Sequence, residues 1–104
     1  MAEPKGVALV TGARRGIGRG IAYALAHAGF DLVLNDIEHD DAMRETLQGV
    51  IQRGRAARPV IADIAAVDGL AALCEAAWGA FGRIDHLVNN AGVSVSVRGD
   101  LLDV

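Results

Sequence analysis

Cysteine and lysine, like tryptophan and tyrosine, occur once each in the sequence, and it has no long apolar run. Cys74 is its single cysteine, so neither an intrachain disulfide nor a Cys-x-x-Cys metal or redox pair can form. A reducing compartment is the simple expectation. One lysine and nine arginines are scattered without a basic run, and 13 acidic residues bring the formal net charge to −3. That mild acidity argues against a binder of the nucleic-acid backbone, which needs a basic excess. No apolar stretch approaches the ~18 residues that span a bilayer, so no membrane partner is expected. The opening Met-Ala-Glu-Pro-Lys is charged and has no long apolar segment behind it, unlike a secretory signal. A cytoplasmic location follows as the default. His27, His39 and His86 fall on three separate segments, no two at metal-ligand spacing, so no metal site is expected either.

Apolar residues make up 52% of the 104 positions and the mean hydropathy is +0.30. That composition can bury enough surface to offset backbone ordering, which excludes disorder, and the length fits one domain at most. Four short apolar runs stand out. They are Val7-Ala8-Leu9-Val10, Leu32-Val33-Leu34, Val60-Ile61-Ala62, and Ile84 with Leu87-Val88. Short, apolar and bounded by turn residues, they read as buried parallel strands.

Three amphipathic stretches lie between the strands. Ile17, Ile21 and Leu25, with Ala22 and Ala28 beside them, mark the apolar face of the first, and Gly29 stops it. Met43, Leu47, Val50 and Ile51 mark the second, with Asp40 or Asp41 as its cap and Gly54 at its end. Leu70, Leu73, Cys74, Ala77 and Phe81 mark the third, closed by Gly82. Cys74 is expected in the core of this helix, and Trp78 and Phe81 are expected to pack. The order βαβαβαβ implies an α/β fold with a doubly wound parallel sheet and right-handed crossovers. No repeat, low-complexity tract or linker interrupts it. The fourth strand would be an apolar edge, so either more chain or another chain is expected to cover that flank.

The link from the first strand to the first helix is Thr11-Gly12-Ala13-Arg14-Arg15-Gly16-Ile17-Gly18. A chain leaving a buried strand must turn sharply, and glycine tolerates the positive φ such a turn can need. A missing side chain at Gly16 or Gly18 lets a diphosphate approach the backbone, where the helix N-terminus offers unpaired N–H groups. Arg14 and Arg15 add positive charge. The plainer alternative is a tight turn whose glycines serve only helix–strand packing. The pattern is not a P-loop, since no Gly-Lys-Ser/Thr follows, and G-x3-G-x-G is not the G-x-G-x-x-G dinucleotide spacing.

Asp36 ends the second strand, 18 residues past Gly18. In a doubly wound sheet this carboxylate reaches the ribose of an adenine nucleotide, accepts its hydroxyls and repels a 2′-phosphate. It therefore favours NAD over NADP, against Arg14 and Arg15, which can pair with a 2′-phosphate or serve the diphosphate instead; an exposed loop acid beside Glu38, Asp40 and Asp41 is the alternative. Asp63 and Ile64 follow the third strand. They can meet adenine, or Asp63 can cap the third helix, or both. Asn89-Asn90-Ala91-Gly92 follows the fourth strand. In a 3-2-1-4 sheet it lies beside the switch point where ligands bind, although asparagines can also simply lock a turn.

Thr11-Gly12-x3-Gly16-x-Gly18, Asp63 and Asn89-Asn90-Ala91-Gly92, in that order and spacing, resemble the short-chain dehydrogenase/reductase family. Residues 93–104 look most like 3-ketoacyl-carrier-protein-reductase-like members or general dehydrogenases. The resemblance implies a Rossmann-type fold and nicotinamide-dependent interconversion of an alcohol and a ketone. It places Gly12, Arg15, Gly16, Ile17 and Gly18 along the diphosphate and nicotinamide side, and Asp36 and Ile37 at the adenosine ribose. It puts Asp63 and Ile64 at adenine, and Asn90, Ala91 and Gly92 at the nicotinamide-side ribose.

The family's catalytic Ser and Tyr-x3-Lys fall downstream of everything present. The only tyrosine is Tyr23, the only lysine is Lys5, and Ser94 and Ser96 come too early. No catalytic residue is carried over. Residues 1–104 are thus expected to be the N-terminal portion of a dinucleotide-binding domain, from a longer protein that acts on a small alcohol or ketone and forms a homo-oligomer. The alternative is a dinucleotide-binding module without turnover. A methyltransferase is disfavoured, since the turn has the wrong spacing and no acid just before it.

Overall fold

The computed structural model describes residues 3–66 and 68–90. In chain order the elements are β1 (Gly6–Thr11), α1 (Gly16–Ala28), β2 (Phe30–Asp36), α2 (Asp41–Gln52), β3 (Ala57–Ile61), α3 (Gly69–Phe81) and β4 (His86–Val88). The strands form one parallel sheet in the order β3-β2-β1-β4. This is the expected doubly wound, Rossmann-like arrangement, with β1 and β2 in the centre.

Alternation along the central strands builds two cores. Ala8, Val10, Leu32 and Leu34 face α1 and α2, where they meet Ala22, Ala26, Met43 and Val50. Val7, Leu9 and Val33 face the other side and meet Leu73 and Ala77 of α3. Leu9, Leu32, Leu34, Met43 and Leu73 are fully buried, and each burial of this kind contributes about 2 kcal/mol.

Helix faces differ from the sequence expectation in instructive ways. On α1 the buried residues are Gly18, Ala22 and Ala26, while Ile17 is 75% exposed and Ile21 and Leu25 are only partly covered. The spacing of four is right, but the stripe lies one residue further on. Small side chains let the helix axis approach the sheet, and the large ones flank the contact. On α2, Met43 and Val50 are buried as expected, Thr46 and Gly49 join them, and Ile51 is exposed. On α3 only Leu73 and Ala77 are buried; Cys74, Leu70 and Trp78 are exposed, so Cys74 is not a core residue and Trp78 does not pack inside. Phe81 is half-buried, with the Arg58 guanidinium 5.4 Å from its ring centroid.

The helix ends follow local chemistry. Asp40 caps α2, its Oδ1 accepting the Met43 N–H at 3.0 Å. Asp63 does not cap α3, whose cap position is Asp68; Asp63 instead accepts the Ala65 N–H at 2.9 Å and so organises the turn before that helix. Among the described residues, no helix is long and apolar enough to cross a membrane.

Candidate functional site

The carboxyl ends of the parallel strands bring four loops together. The first is the glycine turn, where Gly12 has φ +63° and Gly16 has φ +61°, the left-handed conformation that glycine adopts without penalty. This turn is tied to β2 twice. The Ala13 N–H donates to the Asn35 carbonyl at 3.0 Å, and the Arg14 N–H donates to Asp36 Oδ2 at 3.0 Å. Asp36 Oδ1 accepts the Ile37 N–H at 2.8 Å. One backbone donor thus holds each carboxylate oxygen, and further acceptor positions stay open on both.

The turn opens directly into α1. Arg15 takes the cap position in extended conformation, without a side-chain cap and with no acid in the first turn. Among the described residues, no cap side chain and no first-turn acid engages the donors at this helix end, the arrangement that suits an anion. The glycines divide the work. A Cβ on Gly16 would meet nothing within 4 Å, whereas one on Gly18 would lie 1.9 Å from the Gly12 carbonyl oxygen. Gly16 leaves open space above the backbone. Gly18 instead allows the helix to close on the turn, which is the plainer packing role.

Asn35 joins β2 to the β3 exit: its Nδ2 donates to the carbonyls of Val60 at 2.9 Å and Ala62 at 3.1 Å. Sequence reasoning passed over this residue. Its signal was a polar residue directly after the apolar run Leu32-Val33-Leu34, and in the fold it is 2% exposed. These ties shape a cleft of about 180 Å³ lined by Gly12, Asn35, Asp36, Ile37, Ala62, Asp63, Ile64 and Ala65. It brings together five of the residues singled out from sequence: Gly12, Asp36, Ile37, Asp63 and Ile64.

The fourth loop closes from β4. Thr11 Oγ1 accepts the Asn90 N–H at 2.8 Å and lies 3.1 Å from Asn89 Oδ1, and Asn90 Nδ2 donates to the Gly12 carbonyl at 3.4 Å. Asn90 therefore braces the glycine turn from the side opposite Asp36. Ala91 and Gly92 lie outside the described residues, as do Ser94 and Ser96.

Arg15 and Ile17 are exposed at the helix entrance. Arg14 points elsewhere: its guanidinium packs among Asp36, Glu38 and Asp40 rather than over Gly16. Among the described residues no group of three or more His, Cys, Asp or Glu side chains is placed to hold a metal.

Known proteins share this arrangement. Residues 6–103 match the model of the short chain dehydrogenase family. The chain is 44% identical over 88 residues to 2-dehydro-3-deoxy-D-gluconate 5-dehydrogenase of Dickeya dadantii (strain 3937), covering 84% of this chain and 33% of that protein. It is 42% identical over 88 residues to a 3-oxoacyl-acyl-carrier-protein reductase of Synechocystis sp., covering 85% and 36%. Among solved structures, a metagenomic short-chain oxidoreductase in complex with NADP superposes with a TM-score of 0.78 at 37% identity, over 88% of this chain and 41% of that one. Carveol dehydrogenase from Mycobacterium avium in complex with NAD gives a TM-score of 0.77 at 29% identity, over 91% and 38%. The chain spans about a third of the length of the curated relatives it matches. With its glycine turn, its sheet order and this match along nearly its whole length, the chain belongs to the short-chain dehydrogenase family.

Proposed function

We propose that residues 1–104 form the N-terminal, dinucleotide-binding portion of an oxidoreductase that interconverts a small alcohol and a ketone, with NAD preferred to NADP. The observation that carries this reading is the cleft uniting Gly12, Asp36, Ile37, Asp63 and Ile64 at the strand ends. Its donor set fits a dinucleotide. The open backbone at Gly16 and the uncapped start of α1, with Gly12, Arg15 and Ile17 around them, suit a diphosphate. Asp36 keeps acceptor positions for the ribose hydroxyls, with Ile37 beside it. Asp63 and Ile64 lie where adenine would rest. Asn90, followed by Ala91 and Gly92, would serve the nicotinamide-side ribose, with Gly18 behind the turn and Arg14 beside Asp36.

When bound, the nicotinamide supplies the hydride chemistry; the chain's own residues bind and orient it. Tyr23 and Lys5 are not brought together as a proton-transfer pair. The Tyr23 hydroxyl donates to the Glu45 carbonyl at 3.2 Å, between α1 and α2. Lys5 packs on Gly29 at the opposite, amino-terminal end of the sheet. The same placement favours a second reading, a module that binds the dinucleotide without turnover. A cytoplasmic location and a homo-oligomeric whole protein belong to the first reading.

Calorimetric titration of the chain with NAD and with NADP tests the proposal. Removing a carboxylate that accepts ligand hydroxyls costs about 1.5–3 kcal/mol, so Asp36→Ala is expected to weaken NAD roughly ten- to a hundredfold and to narrow the gap to NADP. Absence of NAD binding, or a selectivity indifferent to Asp36, contradicts the assignment.

A further inference from the structure

We propose that Asp40, assisted by Glu38, is a specificity-determining residue: it withholds the Arg14 guanidinium from a 2′-phosphate and so keeps the adenosine site selective for an unphosphorylated ribose. The inference rests on the reading of Asp36 as the ribose acceptor. Taken alone, an arginine beside the glycine turn favours a phosphorylated cofactor. The geometry reverses that expectation.

Arg14 Nη1 lies 2.6 Å from Asp40 Oδ2 and 3.3 Å from Glu38 Oε1, and its Nε is 3.8 Å from Asp36 Oδ2. The side chain is only 13% exposed, and Nε is buried without a hydrogen-bond partner. One cation thus faces three carboxylates. The backbone of Arg14 is pinned as well. Its N–H is on Asp36, and its carbonyl accepts from Arg19 Nη2 at 2.9 Å and Thr46 Oγ1 at 3.1 Å. Only the guanidinium can move, and Asp40 holds it by a short, charge-assisted bond.

Asp40 is itself fixed, because its other oxygen caps α2 at the Met43 N–H. That hydrogen bond, and next to it the Arg14 contact, holds its carboxyl below the usual carboxylate range. The Arg14 guanidinium is pushed up in turn, chiefly by its hydrogen bond to Asp40. A phosphate on the ribose hydroxyl beside Asp36 would meet a neutralised arginine and an excess of negative charge. A bare hydroxyl would meet only acceptors. Asp36 supplies the direct repulsion, and Asp40 engages the Arg14 cation that would otherwise offset it.

Asp40→Asn separates the two jobs of this residue. Asparagine caps a helix as well as aspartate does, but it presents no anionic oxygen to Arg14. The chain is titrated with NAD and NADP by calorimetry. For Asp40→Asn, NADP is expected to tighten about tenfold while NAD stays within about twofold, the scale of one unit charge acting over a few ångströms in a wet site. Glu38→Gln leaves the cap untouched and is expected to give a smaller gain in the same direction. The gain should shrink in high salt and should vanish when Arg14→Ala is added to Asp40→Asn. A protein weakened only in its fold would lose both cofactors together.

An unchanged NADP-to-NAD ratio in a chain that still binds NAD overturns this inference and leaves the dinucleotide reading standing. So does a gain that persists without Arg14. Failure of the unaltered chain to bind either cofactor removes both. If Asp40→Asn does not fold, Glu38→Gln decides: no shift in the ratio overturns the inference.

Discussion

A Cβ placed on Gly18 would sit 1.9 Å from the Gly12 carbonyl oxygen and 2.8 Å from Asn90 Nδ2, so the backbone of the turn itself would have to move. On Gly20, two residues on in the same helix, a Cβ would meet nothing within 4 Å. Alanine gains about 1 kcal/mol over glycine in a helix interior, while forcing backbone apart in a packed site costs about 1–3 kcal/mol. Gly20→Ala is therefore expected to raise stability by up to about 1 kcal/mol, and Gly18→Ala to lower it by up to about 2 kcal/mol net, read from urea unfolding midpoints. Equal responses would refute the close-packing role of Gly18. The sequence marks Gly12, Gly16 and Gly18 as a group but cannot divide them. What separates them is the atom above each Cα, and over Gly18 that atom arrives from Gly12 and from Asn90 only after folding. Asp36 was easier to read, because its place at a strand end fixes where its carboxylate lies. The partners of Arg14 were not readable, since three acids within five residues offer the same charge in any geometry.

Helix positions were legible from apolar spacing, and helix faces only in part. In α1 the large residues Ile17, Ile21 and Leu25 repeat at the same interval as Gly18, Ala22 and Ala26, and size is a poor guide where the contact demands closeness. In α3, GLAALCEAAWGAF is apolar or small nearly all round, so no stripe selects Leu73 and Ala77 over Leu70 and Cys74. The α1–α2 contact gives a sharper case. A Cβ on Gly49 would lie 2.3 Å from two ring carbons of Tyr23 and from its hydroxyl oxygen. That ring is held by its hydroxyl on the Glu45 carbonyl and by the Arg53 guanidinium 4.0 Å above its centroid. Gly49→Ala should gain helix propensity and lose this packing, with the loss winning by about 1 kcal/mol. In a Tyr23→Ala background the obstacle is gone. There the same change is expected to stabilise by up to about 1 kcal/mol. A double-mutant cycle by thermal unfolding measures the sign reversal, and its absence would show that α1 and α2 do not meet at this point.

The parallel sheet follows from strand–helix alternation and the handedness of crossovers, and its order 3-2-1-4 goes with the Rossmann-type reading, so the architecture of the whole molecule was the most readable level. What closes it was not. β4 pairs with β1 through only three residue pairs, Ala8 with His86, Leu9 with Leu87 and Val10 with Val88. The contact is secured by Asp85, which no spacing rule singles out because its partner is 78 residues away. Asp85 Oδ2 accepts the Val7 N–H at 2.8 Å, Arg83 binds both of its oxygens at 2.9 Å, and the Asp85 N–H donates to the Val7 carbonyl at 2.8 Å. The Arg83 hydrogen bond first, then the Val7 N–H, holds the Asp85 carboxyl below the usual carboxylate range. An acid whose pKa is lower in the folded state than in the unfolded one adds stability above the unfolded value of about 3.9, and that contribution disappears as pH falls through the folded value. The β1–β4 seam should accordingly loosen in acid through this group. Thermal unfolding across pH 7 to 2 is expected to show the native chain more stable than Asp85→Asn above about pH 4. The two curves should converge below that, as Asp85 takes up its proton. Amide exchange at Leu87 and Val88 should accelerate over the same acid range in the native chain, and should vary less with pH in Asp85→Asn. A gap between the variants that is constant with pH would mean that Asp85 holds the seam by shape alone, not by its charge.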